Sequence, residues 1–213
     1  MTTAAPRPPF EAVLTHPAQI AEILGQPLPH NLAKAIDRLD PLCRDFIARS
    51  PFVLVASHDA EGRVDVSPKG DPPGFVRVLD DRTLAIPERP GNRRADTFAN
   101  VLQNPKVGLI FLVPGKGETL RVSGTARVVR DAWLLESMAV EGKVPKLALV
   151  VAVEEVFAHC TKCMVRSRLW QPESWKPDGL LTIAQALAAH GRLEGGLAAA
   201  ERRVQDNLRD MLY

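Results

Sequence analysis

A chain of 213 residues is long enough to bury one substantial core. Its 46% apolar and 24% charged content argues against a disordered polymer, and a net charge of +2 from 27 basic and 25 acidic residues argues against an acidic polymer as its main partner. The longest apolar run, LALVVAV at 147–153, is too short to cross a bilayer.

The opening MTTAAPRPPF carries prolines where an export signal needs an apolar core, and its three prolines predict fraying. Three cysteines, Cys43, Cys160 and Cys163, are too few and odd in number for a disulfide framework, so a reducing cytoplasm is expected. The first fifty residues read as helical. THPAQIAEILG offers Thr15 as N-cap, an apolar face of Ile20, Ile23 and Leu24, and Gly25 as stop. HNLAKAIDRLD, residues 30–40, places Leu32, Ile36 and Leu39 at helical spacing. Asp40 caps a third helix with Pro41 at its first position and Pro51 beyond its end.

The period then changes to that of strands. FVLVAS (52–57), RVDVS (63–67), FVRVLD (75–80) and TLAI (83–86) are short β-rich runs, with Ser67 at a strand end and Pro-Lys-Gly terminating its pairing. A helix starting near Arg93 ends at Asn104-Pro105. VGLIFLV (107–113), TLRVSGTARVV (119–129) and LALVVAVEEVF (147–157) complete about seven strands, with Gly124 suited to a bulge. A possible second helix lies around DAWLLESMAVEG. So few interrupting helices favour an antiparallel meander or barrel over a doubly wound parallel sheet. In the tail, Thr182 and Gln185 form a capping-box pattern, and Leu193, Leu197, Ala200, Val204, Leu208 and Met211 mark a helix whose apolar stripe packs on the barrel or on a partner subunit.

Chemistry concentrates in IPERPGNRRADTF, residues 86–98. Arg89, Arg93 and Arg94 surround a Pro-Gly-Asn turn before a helix whose free N–H groups and dipole already favour an anion. Guanidiniums add bidentate donors for phosphate oxygens. The alternative is a solvated arginine face partly answered by Glu88 and Asp96. Ser67 and Lys69 in VDVSPKG either join the arginines on one ligand or form a polar loop. CTKC could be half of a zinc site or a redox dithiol, but only His159 lies nearby, so two buried small hydrophobes are expected and no metal. The scattered histidines, at 16, 30, 58, 159 and 190, and the absence of nucleophile-elbow or Walker patterns offer no hydrolase machinery.

The order GRVDVSPKG, LAIPERPGNRRADTFANVLQNPKVGLIFLVPG, GETLRVSGTARVV resembles the pyridoxamine 5′-phosphate oxidase-like flavoproteins. The resemblance implies a mainly-β, antiparallel, Greek-key-like split β-barrel with N-terminal helices and a C-terminal helix. It implies one FMN-binding domain over residues 1–213: a helical segment (1–50), a barrel core (51–157) and a helical extension (158–213). HCTKCMVRSRLW is similar to the closing segment of one FMN-dependent subgroup. Carried over by position, the resemblance implies that Val66, Ser67 and Lys69 lie along the isoalloxazine edge and ribityl chain. Ile86 and Pro87 would flank the ring, and Asn92, Arg93 and Arg94 would hold the phosphate. Thr119, Leu120, Arg121, Arg166, Ser167 and Trp170 would come from the other subunit of a homodimer.

The basic and aromatic set by which pyridoxamine phosphate oxidases hold their substrate has no match here, so vitamin B6 oxidation is not expected. The implied function is an FMN-dependent oxidoreductase passing hydride or electrons to or from a small organic molecule, with no assigned catalytic side chain. The alternative is a non-catalytic protein that binds or stores flavin, deazaflavin or haem on the same barrel. A nucleic-acid binder using the arginine turn is disfavoured by the near-neutral charge.

Overall fold

The structure, a computed structural model, describes residues 10–213. The expected fraying of the proline-bearing opening therefore lies outside the described residues. The chain divides into two compact units after Lys34. Among its described residues the first unit holds two short helices, α1 (Pro17–Leu24) and α2 (Pro29–Ala33). The cap of α1 is His16 rather than Thr15. His16 Nδ1 accepts from Ala18 N–H at 3.1 Å, and the Gln19 side-chain oxygen accepts from His16 N–H at 2.9 Å, closing a reciprocal box. α2 stops at Ala33 instead of running to residue 40.

The second unit begins where that predicted helix fails. Ile36 exchanges two backbone hydrogen bonds with Val156, and Leu39 N–H donates to the Asp81 carbonyl at 2.7 Å. Pairing with a strand offers these groups partners that outweigh a helical preference of a few tenths of a kcal/mol per residue (roughly). Next, α3 (Pro41–Arg49) is capped as expected, with the Asp40 carboxylate accepting from Cys43 N–H at 2.8 Å.

Seven antiparallel strands follow: β1 (Phe52–His58), β2 (Val64–Gly70), β3 (Arg77–Val78), β4 (Thr83–Pro87), β5 (Lys106–Leu112), β6 (Thr119–Val129) and β7 (Ala148–His159). They form one sheet in the order β2-β1-β5-β6-β7-β4-β3, a mainly-β, split-barrel-like fold with flanking helices. The connection from β4 to β5 carries α4 (Asp96–Gln103), and that from β6 to β7 carries α5 (Ala132–Ser137). Alternating inward residues of the strands, including Val53, Val55, Leu109, Phe111, Val122 and Val151, meet Cys43 and Ile47 of α3 and Phe98 and Val101 of α4 in the core. Burial pushes the Cys43 thiol up to about 11, so it behaves as a small hydrophobe.

β2 runs three residues past Ser67, so Pro-Lys-Gly does not end its pairing; Phe52 still faces Gly70 in the ladder. Proline is tolerated there because β2 is an edge strand. The expected bulge occurs opposite Gly124. Ser123 faces Glu155 while Gly124 faces Val153, so Glu154 of β7 is the extra residue. That one insertion lets Val151, Val153 and Val156 all turn inward while Glu154 points out, where it accepts from Lys106 Nζ at 2.7 Å.

After β7 come α6 (Lys162–Ser167), a single 3₁₀ turn at Pro172–Ser174, α7 (Ile183–Ala189) and α8 (Gly196–Asp210). The capping box of Thr182 and Gln185 is present at the start of α7. α8 packs on α7; Ala200 is buried, whereas Leu197 and Leu208 of the same stripe are exposed. Among the described residues no helix is long and apolar enough to cross a membrane.

Candidate functional site

Period-2 geometry puts Asp65, Ser67 and Lys69 on one half-buried face of β2, while Val66 is turned to solvent. Lys69 Nζ donates to Ser67 Oγ at 2.9 Å and lies 5.9 Å from the centroid of the Phe98 ring. Burial holds the Lys69 ammonium below its ordinary pKa of 10.5, opposed by the nearby charges of Asp65 and Glu88. Burial also raises the Glu88 carboxyl, against the pull of Lys69, Lys146 and Arg89.

The turn over residues 88–95 faces this strand. α4 begins at Asp96 rather than near Arg93, because Arg93 and Ala95 both adopt left-handed backbone, with φ of 61° and 57°. Such geometry costs a non-glycine residue about 1–2 kcal/mol and marks a turn held by its surroundings. The three arginines have different fates. Arg89 is structural: its Nε donates to Asp71 Oδ2 at 2.6 Å and one terminal nitrogen to the Met138 carbonyl at 3.0 Å. Arg94 Nε donates to Asp96 Oδ2 at 2.7 Å on an exposed surface, while its backbone N–H donates to Asn92 Oδ1 at 3.0 Å. Among the described residues Arg93 has no hydrogen bond or ion pair. Of the two acids expected to answer the cluster, Asp96 is hydrogen-bonded to Arg94 and Glu88 acts on Arg89 through charge alone; Asp71 is a third partner, hydrogen-bonded to Arg89.

Three cavities surround this turn. The central one, of about 400 Å³, lies between Ser67, Lys69 and Phe98 on one side and Pro87, Glu88, Asn92 and Arg93 on the other. A polar neighbour of about 420 Å³ extends past Asp65, Val66, Arg94 and Asp96 to the start of α4, where Thr97 Oγ1 donates to Asp65 at 3.3 Å. The third, of about 540 Å³, lies on the far side of the turn. The structure thus brings together Val66, Ser67, Lys69, Pro87, Asn92, Arg93 and Arg94. Ile86 is fully buried in the core and is not in the cavity lining.

The remaining candidates gather elsewhere in the chain. Thr119 and Leu120 are buried in the β6 ladder, and the Arg121 guanidinium lies 5.3 Å from the Phe157 ring centroid. Arg166 and Ser167 are exposed on α6, and Trp170 Nε1 donates to the Lys116 carbonyl at 2.8 Å. None of these six lines the three cavities. Cys160 and Cys163 are exposed free thiols, not the buried hydrophobes expected, because β7 ends at His159 and α6 presents its first turn to solvent. Among the described residues no three His, Cys, Asp or Glu side chains gather as a metal site.

Sequence reasoning missed Asp71 and Tyr213. The Tyr213 hydroxyl donates to Asp71 Oδ1 at 2.7 Å, and its ring lies 5.7 Å from the Arg89 guanidinium. The available signal was that Tyr213 is the single tyrosine in the sequence; nothing local marks Asp71 as the partner of a residue 18 positions away.

The sheet is antiparallel and split-barrel-like, and a basic turn precedes the helix α4 that crosses between β4 and β5. Residues 39–160 match the profile of the pyridoxamine 5′-phosphate oxidase family, and the chain belongs to that family. Similar solved structures include HupZ from Group A Streptococcus (25% identity, 54% of this chain and 88% of that chain, TM-score 0.44). An FMN-binding protein from Syntrophomonas wolfei is 16% identical over 54% of this chain and 86% of that one, with a TM-score of 0.42. HutZ, the heme storage protein of Vibrio cholerae, is 17% identical over 58% and 94%, with a TM-score of 0.40. No curated protein matches the sequence.

Proposed function

We propose that the protein is an FMN-binding flavoprotein acting as an oxidoreductase on a small organic molecule. The observation that carries this reading is Arg93: a guanidinium without a protein partner among the described residues, at the rim of a cavity of about 400 Å³ that also holds Lys69 and Ser67. That volume lies in the ordinary range for small-molecule sites. The donor set fits a phosphate monoester with a flat apolar body. Arg93, Arg94 and Asn92 hold the phosphate, with the exposed Arg94–Asp96 pair free to exchange partners at little cost. Lys69 and Ser67 hydrogen-bond the polar chain, while Pro87 flanks the ring. In this reading the protein is a homodimer, and Thr119, Leu120, Arg121, Arg166, Ser167 and Trp170 complete the site from the other subunit. Bound FMN supplies two-electron chemistry, and the polypeptide supplies binding, orientation and electrostatics.

Two lines of measurement test the reading. Purified protein carries a chromophore with the mass and absorbance of FMN, and Arg93→Ala weakens FMN binding at least about tenfold, the low end for a lost charge-assisted hydrogen bond. A titration in which Arg93→Ala binds FMN unchanged moves the phosphate elsewhere; a deazaflavin or haem chromophore replaces FMN in the assignment. The second concerns pH. Only protonated Lys69 donates charge to the ligand, and its pKa is displaced below 10.5. FMN affinity therefore declines as pH rises toward that value from neutrality, by up to about tenfold, and Lys69→Met flattens the profile. A wild-type profile already flat over this range removes Lys69 from the site.

A further inference from the structure

The cavity on the far side of the arginine turn differs in chemistry from the two facing β2. Its walls are Pro90, Val144, Pro145, Leu147, Met211 and the Tyr213 ring, so most of its surface is apolar. Its charges come from Arg93, Lys143 and Lys146, against Glu88 and a neutralised Arg89. Lys143 Nζ donates to the Tyr213 main-chain oxygen at 3.0 Å, which holds the last residue of the sequence against this wall. Lys146, like Arg93, has no hydrogen bond or ion pair among the described residues. Glu88 lines the same cavity; burial raises its carboxyl, and the charge of Lys146 opposes that shift. An apolar chamber beside a lysine that has no hydrogen bond or ion pair among the described residues suits an apolar molecule bearing one negative group, and disfavours a cation or a polar sugar.

We propose that this cavity binds a small organic carboxylate with an aryl or alkyl body, its carboxylate on Lys146 and its body against Val144, Met211 and Tyr213. The cavity shares Glu88, Arg93 and Ala95 with the proposed cofactor cavity, so such a ligand is placed beside the cofactor as its substrate. The role as substrate rests on the flavin reading above; the binding does not. Tyr213 acts here as a positioning residue, fixed by Asp71 and Lys143.

The test uses naphthalene-2-carboxylate as probe, titrated calorimetrically into full-length protein with and without FMN. The expected result is one probe per chain, bound without displacing FMN, with naphthalene-2-carboxamide at least about tenfold weaker. Lys146→Glu and Val144→Asp each weaken the probe at least about tenfold while leaving FMN affinity and melting temperature unchanged. Both positions are exposed, so either substitution leaves a folded chain. Probe binding indifferent to both variants, or a probe that expels FMN, overturns the assignment. Protein that takes up no FMN yet binds the probe with the same Lys146 dependence defeats the flavin reading and upholds this one.

Discussion

Asp71→Ala is expected to lower folding stability by about 3 kcal/mol, read as a reduced urea midpoint at constant slope. The Asp71 side chain is 2% exposed and both of its oxygens are engaged, one by Arg89 Nε at 2.6 Å and the other by the Tyr213 hydroxyl at 2.7 Å. Arg89 is itself only 16% exposed. Deleting the carboxylate leaves a largely buried guanidinium with one carbonyl partner, Met138, and strands a phenolic O–H. Breaking a buried pair by removing one member costs more than the pair contributes, since the survivor's charge stays desolvated. A loss below about 1 kcal/mol would show that Arg89 swings freely to water, and the turn would then lack the anchor assigned to it.

Gly124→Ala is expected to cost a comparable amount, about 3 kcal/mol, for a steric reason. A Cβ on Gly124 collides with the Ala152 carbonyl across the bulge and comes within 3.1 Å of a Val151 methyl. The carbonyl belongs to a strand paired on both sides, so it cannot retreat without loosening β6 and β7 together. Thermal or denaturant unfolding measures the loss. A drop under about 1 kcal/mol would mean that the bulge relocates along the strand.

The strands were legible because period 2 is written directly in runs such as TLRVSGTARVV, and turn residues bound each run. Caps were legible where a single side chain and a proline fix the start, as at Asp40-Pro41, and where two side chains reciprocate, as at Thr182 and Gln185. The segment after Ala33 was not, because the partner that diverts it, Val156, lies 120 residues away in sequence and no local pattern announces it. The extra residue of the bulge fell on β7, not on the strand carrying the glycine: Gly124 marks where space is needed, while the doubled Glu154-Glu155 marks where the alternation slips. In the candidate site, residue type revealed that the arginines form a cluster. It could not rank them. Arg89 and Arg93 are four residues apart and read alike, yet one is consumed by Asp71 and the other is unengaged. Nor could sequence reveal that CTKC lies at an exposed junction of strand and helix.

Pro68 has a consequence beyond its own strand. β2 is an outer member of the sheet, and residues 64 and 66 present valine side chains to water beside main-chain groups that no further strand among the described residues covers. Such a border invites a foreign chain to zip on, but a proline withholds one N–H from any continuous run of intermolecular bonds. Two copies joined through this border would forfeit that donor, so open-ended stacking along β2 is disfavoured.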